Sequence, residues 1–233
     1  ENAFEWRFEF PEVLNDEGDF VGFDVLIGNP PYVLSRETFD ENNRNYFSKN
    51  FSLIHEKPNL YLLFIEKSLH LLCPKAELSF IIPNSITGME SAFKIRERII
   101  NNYRINAIIN ILGESFENVG VETCIILLSN KTPSEKVSYI NINNNLIEKN
   151  NFNEIDIIQW KNNRNYLFDI SSSSKDFPII NKIKSKSIQL SEMYDVKVGL
   201  QAYEKGKGKP QQTESDVKNH IYDYRRLSQI LHL

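Results

Sequence analysis

Apolar and polar positions along the chain alternate in blocks that predict strands and helices. Four apolar runs have the length of buried strands: 23–28, 78–82, 105–112 and 123–129. The stretch 59–73 is apolar almost all round, which is typical of a buried helix, and helical spacing over 89–103 predicts an amphipathic one. This order predicts an α/β fold with a mostly parallel sheet. Because no helix separates the last two strands, we expect them to pair antiparallel.

The flanking segments have weaker patterns. Aromatic and charged residues alternate over 4–10, which predicts a half-buried strand. A strand over 137–145 is followed by an asparagine-rich stretch, 143–165, that predicts a loop. A short helix is expected over 177–185, and a new strand over 194–200. We place the domain boundary between them and predict two domains, 1–187 and 188–233.

Composition and charge narrow the class of protein. The chain has 233 residues, of which 41% are hydrophobic and 25% charged, enough for one large domain or a domain and part of another. It shows no signal peptide and no run near the ~18 apolar residues of a membrane helix. Cys73 and Cys124 lie inside apolar runs, which indicates reduced thiols in the cytoplasm. The residues after 175 are basic, which fits either a solvated face or a surface that meets phosphates.

Candidate chemistry lies in Asn29, Pro30, Pro31 and Tyr32, directly after the first predicted strand. An exocyclic base amine is a poor nucleophile because its lone pair is delocalised into the ring. The Asn29 side-chain oxygen and the Pro30 carbonyl can accept its hydrogens and support the charge that develops on transfer. Pro31 fixes the direction of that carbonyl, and Tyr32 offers a face on which a flipped base can stack. The alternative is a proline-rich turn with a capping asparagine.

The segment Phe-Asp-Val-Leu-Ile-Gly-Asn-Pro-Pro-Tyr, residues 23–32, resembles the methyltransferase region of type IIG restriction–modification enzymes and of TaqI-like adenine methyltransferases. The resemblance extends to 59–66, 78–85, 95–97 and 116–123. It implies S-adenosylmethionine-dependent, adenine-specific methylation of the exocyclic amine in double-stranded DNA, in a bacterial restriction–modification system. The implied fold is the C-terminal half of a Rossmann-like methyltransferase sheet, followed by the start of a target-recognition domain.

The resemblance also implies roles for single residues. The motif from Asn29 to Tyr32 would hold and stack the target base, and adenine is favoured over cytosine because the motif begins with asparagine. Phe116 matches the second aromatic that packs on the flipped base. Phe64 and Pro31 would contact the cofactor. For Phe116 and Phe64 the alternative is packing in the core.

Part of the family pattern is missing. The glycine-rich cofactor loop of this family precedes the proline motif, and upstream of Phe23 the chain has only Gly18 and Gly22, in a turn. The stretch 206–209 does not qualify, because it lacks a strand before it and a helix after it. We therefore expect a fragment that alone binds S-adenosylmethionine weakly or not at all, completed by a missing N-terminal half or a partner subunit. Residues 196–202 resemble the start of the target-recognition domain of this family, and we expect this chain to contain only the beginning of that domain.

Other chemistries find little support in the sequence. No metal site is expected, because metal-ligand spacing is absent among the histidines, His55, His70, His220 and His232. The cysteines lack the Pro-Cys context of carbon-5 cytosine methylases. The Pro-Asp-X-Glu-X-Lys pattern of type IIG nucleases is absent, which predicts no cleavage by this chain. Three functions remain open: a fragment of a DNA amino-methyltransferase, a methyltransferase acting on RNA or on protein glutamine, and an inactive specificity or scaffold piece.

Overall fold

The structure is a computed structural model, and it describes residues 6–32, 39–53, 59–112, 122–143, 152–170, 176–195 and 213–215. Contacts divide the chain into two compact units, Glu1–Pro178 and Ile179–Leu233, and each is described by itself. Contacts do not assign a function to either unit. The predicted division into a catalytic domain, 1–187, and a recognition domain, 188–233, therefore stays a prediction.

The first unit is built on a six-stranded mixed sheet. Its strands in chain order are β1 (Phe23–Gly28), β2 (Leu72–Pro83), β3 (Arg104–Leu112), β4 (Thr123–Ser129), β5 (Lys136–Asn143) and β6 (Asn153–Asp156). Their order across the sheet is β1-β2-β4-β3-β5-β6. β1 pairs with β2, and β3 with β5, in parallel, whereas β4 runs antiparallel to both its neighbours. The α/β fold and the antiparallel β3–β4 pair are confirmed, and the prediction of a mostly parallel sheet is wrong.

Helices precede, connect and follow these strands. The α-helices of this unit are α1 (Trp6–Glu9), α2 (Glu41–Asn50), α3 (Leu60–Leu71), α4 (Phe93–Asn102) and α5 (Ile157–Lys161). Short 3-10 helices lie at Pro11–Val13, Asn84–Thr87, Glu90–Ala92 and Arg164–Tyr166. The strand predicted over 4–10 is wrong where the structure describes it, because α1 is helical. The predicted loop 143–165 is also wrong, since it contains β6 and α5, whose Ile155 and Trp160 are buried in the core.

The helix predicted over 59–73 ends at Leu71, and β2 begins at the next residue. Pro74 therefore lies inside β2. The chain before β1 passes very close to this junction at Gly22, whose φ is +99°. A β-carbon there would lie 2.7 Å from the main-chain nitrogen of Cys73 and 2.8 Å from the carbonyl oxygen of Leu71. Glycine is therefore required at this crossing.

The main core lies between one sheet face and helices α3, α4 and α5. Alternate residues of β2 enter it, namely Leu78, Phe80 and Ile82. A smaller cluster on the opposite face is formed by Ile109, Ile140 and Ile142. The prediction that 23–28 is buried on both faces is wrong, because Val25 and Ile27 are 55% and 79% exposed. These two side chains lie on the same face of β1, which is the edge strand of the described sheet.

The second unit contains most of α6 (Phe177–Lys186) and all of α7 (Leu190–Met193). The helix predicted over 177–185 is confirmed. The strand predicted over 194–200 lies mainly outside the described residues, and its described positions, Tyr194 and Asp195, are not in a strand. None of the helices in the described parts of the chain is long and apolar enough to cross a membrane.

Candidate target-base pocket

The motif from Asn29 to Tyr32 begins where β1 ends. Because β1 and β2 are parallel, their carboxyl ends share one edge of the sheet, here called the site edge. Gly28 pairs with Phe80, and a β-carbon on Gly28 would lie 3.2 Å from the Phe80 ring. Pro30 is buried, whereas Asn29 is exposed. The motif thus presents an amide to solvent from a backbone anchored in the protein.

Tyr32 is held from two sides. Its hydroxyl donates a hydrogen bond of 2.9 Å to the main-chain carbonyl of Ile81. Its ring meets the ring of Tyr61 edge-on, with centroids 6.4 Å apart and an interplanar angle of 85°. Burial raises the pKa of Tyr32, and the nearby Cys124 thiol raises it further. The half-buried phenol is therefore neutral at physiological pH and can keep donating to Ile81.

Tyr61 connects this aromatic pair to the end of β2. It is fully buried near the start of α3, where the Asn59 side chain accepts from its main-chain N–H. Its hydroxyl and the Ser85 hydroxyl are 3.4 Å apart and share a hydrogen bond. Burial raises the pKa of Tyr61 to about 12. Tyr61 is thus a neutral buried contact between Tyr32 and the Asn84–Thr87 turn.

That turn is bound to β4 as well. The main-chain N–H of Asn84 donates to the Glu122 carbonyl at 3.0 Å, and its side-chain amide donates to the Glu122 carboxylate at 2.8 Å. Both residues lie at the site edge, because Pro83 pairs with Thr123 in the β2–β4 ladder. Sequence reasoning missed this pair, although Asn84 directly follows a strand and Glu122 directly precedes one.

Arg96 of α4 is completely buried and stabilises this turn. It donates at 2.8 Å to the carbonyls of Ile86 and Met89, and at 2.8 to 3.2 Å to those of Asn165 and Tyr166. Burial lowers the pKa of Arg96 to about 10, although Tyr61 opposes this shift, so the guanidinium stays charged at neutral pH. The sequence indicates only that Arg96 lies on an amphipathic helix and within a segment of the family resemblance.

The Arg96 carbonyl partners at Asn165 and Tyr166 have left-handed backbones, with φ of 54° and 52°. Such conformations are unfavourable for residues other than glycine. Arg96 stabilises them by binding both carbonyls, and Glu97 accepts a 2.8 Å hydrogen bond from the Tyr166 hydroxyl. Two adjacent side chains of α4 therefore fix this bend beside the core.

The remaining predicted site residues are less well placed by the structure. Phe64 lies on α3 and is 46% exposed, so the alternative that it packs in the core is wrong. Pro31 is exposed, and Phe116 lies outside the described residues. Their contacts with cofactor or base stay predictions. Cys73 and Cys124 are free thiols, and the described residues contain no group of three or more side chains suited to a metal ion.

The mixed sheet, with an Asn-Pro-Pro-Tyr motif directly after a parallel strand, has the α/β fold that the sequence predicts for part of a methyltransferase sheet. Residues 1–116 match the model of the Eco57I restriction-modification methylase family, and this part of the chain belongs to that family.

Two curated relatives illustrate the match. The chain is 34% identical over 104 residues to the type II methyltransferase M.BstVI of Geobacillus stearothermophilus, covering 44% of this chain and 18% of the relative. It is 24% identical over 123 residues to the type II restriction enzyme and methyltransferase RM.Eco57I of Escherichia coli, covering 52% and 12%. The chain thus spans less than a fifth of the length of these relatives.

Among solved structures, the chain is similar in fold to the type IIG restriction endonuclease BpuSI. The TM-score is 0.50 at 15% identity, and the alignment covers 72% of this chain and 23% of that one. At this identity the similarity concerns the fold alone.

The family implies S-adenosylmethionine as the methyl donor. The residues that the structure describes do not form a complete site for it. The sequence has no glycine-rich loop between a strand and a helix. In addition, β1 is the edge strand of the described sheet, and its Val25 and Ile27 are exposed. The described sheet therefore has no further strand next to β1 whose end could contribute to a cofactor site. At the site edge, the structure describes the Asn29–Tyr32 motif, its contacts with β2 and α3, and the hydrogen bond between α3 and the Asn84–Thr87 turn.

Proposed function

We propose that this chain carries the target-base pocket of an enzyme that methylates the exocyclic amine of adenine in double-stranded DNA, within a restriction–modification system. The observation that carries the proposal is that β1 ends directly before the exposed Asn29, and that Tyr32, three residues further on, is half-buried and bound to the Ile81 carbonyl. Membership of a restriction-modification methylase family supports DNA as the substrate. The choice of adenine rests on the asparagine at the head of the motif.

Asn29 and Pro30 act on the amine in this proposal. The Asn29 side-chain oxygen and the Pro30 carbonyl accept its two hydrogens, which draws the nitrogen toward tetrahedral geometry and supports its developing positive charge. Pro30 is buried and Pro31 has a restricted φ, so the carbonyl direction is set before the base arrives. Neither acceptor titrates, so this step needs no side-chain base with a shifted pKa.

Tyr32 receives the base once it has left the helix stack. A flipped base stacks on an aromatic face, and a face that is already ordered loses little entropy on binding. The hydrogen bond of Tyr32 to Ile81 and its edge-on ring contact with Tyr61 supply that order. We assign the opposite face of the base to Phe116, following the sequence resemblance.

We further propose that cofactor binding and reading of the DNA sequence need residues beyond this chain. The missing glycine-rich loop supports this, as does the small fraction of the relatives that the chain spans. The isolated chain then binds S-adenosylmethionine weakly, cuts no DNA and depends on an N-terminal half or a partner subunit. We assign it to the bacterial cytoplasm, with which two free thiols are consistent.

The test compares the isolated chain with the complete product of the gene. Each is incubated with labelled S-adenosylmethionine and unmethylated DNA, RNA or protein, and the products are digested and identified by mass spectrometry. We expect N6-methyladenine in DNA from the complete product and much less from the isolated chain. Micromolar binding of S-adenosylmethionine by the isolated chain, measured by calorimetry, would contradict the fragment assignment.

Substitutions locate the activity in the pocket. Asn29→Ala should lower transfer by about 100-fold or more, because one of two acceptors is lost. Asn102→Ala is the matched control, since Asn102 is an exposed asparagine where α4 ends, at the opposite edge of the sheet. Product N4-methylcytosine would overturn the choice of adenine. Transfer only to RNA or protein would overturn DNA, and no transfer by the complete product would favour a scaffold role.

A further inference from the structure

Asn84 and Glu122 close the β2–β4 ladder at the site edge. The antiparallel register runs to Pro83 and Thr123, and the next two residues add one main-chain and one side-chain hydrogen bond. The side-chain bond joins an amide to a carboxylate at 2.8 Å, in the range of charge-assisted bonds. Because the pair is solvent-exposed, it contributes little stability, and its effect lies mainly in geometry.

Asn84 is flanked by residues that hold Tyr32. Ile81, three positions earlier in β2, accepts the hydrogen bond of the Tyr32 hydroxyl. Ser85, the next residue, shares a hydrogen bond with Tyr61, whose ring contacts Tyr32. A shift of Asn84, directly after β2, would therefore reach the Tyr32 ring through two separate contacts.

Glu122 occupies the corresponding place on β4. β3 also ends at the site edge, because Ile111 pairs with Thr123. The chain that leaves β3 at Leu112 therefore returns to the sheet at the same edge, and Glu122 marks the point of return. Asn84 holds that point by two hydrogen bonds, one to the main chain of Glu122 and one to its carboxylate.

We propose that Asn84 and Glu122 are positioning residues for methyl transfer. Their hydrogen bond fixes the end of β2 and the start of β4 relative to the Asn29–Tyr32 motif, and neither side chain touches the reacting atoms. This inference rests on the proposed function of the motif. A displacement of about 1 Å within a site can slow a reaction on the order of 100-fold. A hydrogen bond that contributes little to stability can therefore still affect the rate of transfer.

Three variants test the pair. Asn84→Asp places two carboxylates at hydrogen-bond distance, and Glu122→Gln removes the charge while leaving an acceptor. The double variant Asn84→Asp/Glu122→Gln exchanges amide and carboxylate, which restores a charge-assisted bond and the original net charge. A matched control lies at the opposite edge of the sheet, where the Asn106 amide donates to the Glu77 carboxylate at 2.9 Å. Asn106→Asp also places two carboxylates at hydrogen-bond distance there, although Lys131 binds the Glu77 carboxylate at 2.9 Å and weakens their repulsion.

In the complete product of the gene, Asn84→Asp should lower kcat about tenfold or more without changing KM for S-adenosylmethionine. The double variant should recover to within about threefold of wild type, because the two changes are coupled. Asn106→Asp should keep the wild-type kcat. The proposal is overturned by wild-type kcat in Asn84→Asp, by a double variant as slow as Asn84→Asp, or by an equal loss in Asn106→Asp.

Failure of the proposed function is recognised separately, since the wild type would then transfer no methyl group to DNA. In that case the hydrogen-exchange rates of main-chain amides still show whether the pair fixes the start of β4. Asn84→Asp should speed the exchange of main-chain amides at the start of β4, from Thr123 to Ile125, more than Asn106→Asp does. Equal exchange at the start of β4 in the two variants would show that the pair does not fix this end of the ladder and would overturn the inference.

Discussion

The hydroxyl of Tyr32 donates a hydrogen bond of 2.9 Å to the main-chain carbonyl of Ile81. This bond joins the last residue of the motif that follows β1 to the neighbouring strand. A tyrosine ring tied in this way has one orientation before any base arrives. The acceptor is a main-chain carbonyl, which no substitution of Ile81 would remove. The contribution of this hydrogen bond is therefore tested by changing Tyr32.

We expect Tyr32→Phe and Tyr32→Ala to differ in their effect on methyl transfer. The phenylalanine keeps the stacking face and loses a hydrogen bond worth about 1 kcal/mol, so transfer should fall about fivefold. The alanine loses the stacking face as well, which should lower transfer by about tenfold to 100-fold. Steady-state rates and the fluorescence of 2-aminopurine at the target position measure both effects.

Tyr103→Phe is the matched control for the hydroxyl. Tyr103 is buried, and its hydroxyl donates to the Leu69 carbonyl at 3.0 Å, away from the site edge. Its loss should reduce stability by about 1 kcal/mol and leave transfer unchanged. Equal slowing by Tyr103→Phe and Tyr32→Phe would mean that the Ile81 bond has no particular role.

Arg96 should be among the least replaceable residues of the first unit. Arg96→Lys keeps the charge but cannot reach four carbonyls from one ammonium group, so buried acceptors lose their partners. We expect the free energy of unfolding in urea to fall by about 2–4 kcal/mol. Arg104→Lys is the control, because Arg104 donates to the Thr132 carbonyl in an exposed position. A loss of similar size in both variants would contradict this account.

The end of β1 could be predicted from the sequence because its signal is local. Apolar residues 23–28 followed by two prolines require a strand that ends at Gly28, and the structure ends β1 there. β4 was likewise predicted with its observed bounds, Thr123–Ser129. In both cases neighbouring residues determine where the element ends.

The parts that sequence reasoning missed depend on distant residues. Arg96 binds carbonyls 69 and 70 positions away, and Asn84 binds a residue 38 positions away. Nothing within either segment indicates these partners. One signal was available, because Arg96 shares the buried face of α4 with Ile99 and Ile100. A charged residue on an apolar face needs partners, and these can be main-chain carbonyls.

Two glycines with positive φ should differ in their tolerance of alanine. Gly18 has φ +83° and open space around its Cα, so Gly18→Ala should cost about 1–2 kcal/mol from the left-handed backbone. Gly22→Ala adds a clash with main-chain atoms of Leu71 and Cys73, and we expect a further loss of about 2 kcal/mol or more. Urea unfolding of both variants provides the comparison. Equal losses would show that the crossing at Gly22 can widen freely.

Cys124 should make the protein less stable at alkaline pH. Burial raises the pKa of this thiol from 9.0 to about 12. Below pH 9 the thiol is protonated in both the folded and the unfolded chain, so its contribution to stability is complete. Above pH 9 the unfolded chain releases the proton first, and stability falls until the pH reaches about 12. The slope from one such group is at most about 1.4 kcal/mol per pH unit.

Urea unfolding of wild type and Cys124→Ala at pH 8.0, 9.0 and 10.0 would isolate this slope. The series stops at pH 10.0 because the ordinary pKa of tyrosine is 10.0, and above that pH the buried Tyr61 also lowers the stability of the folded chain. The alanine variant should be less stable at pH 8 by about 1 kcal/mol, because sulfur contacts in the core are lost. It should then lose less stability than wild type as the pH rises. Cys73→Ala controls for thiol chemistry, since Cys73 is only half-buried. Parallel curves for wild type and Cys124→Ala would show that Cys124 ionises while still folded, and that β4 admits water beside Tyr32.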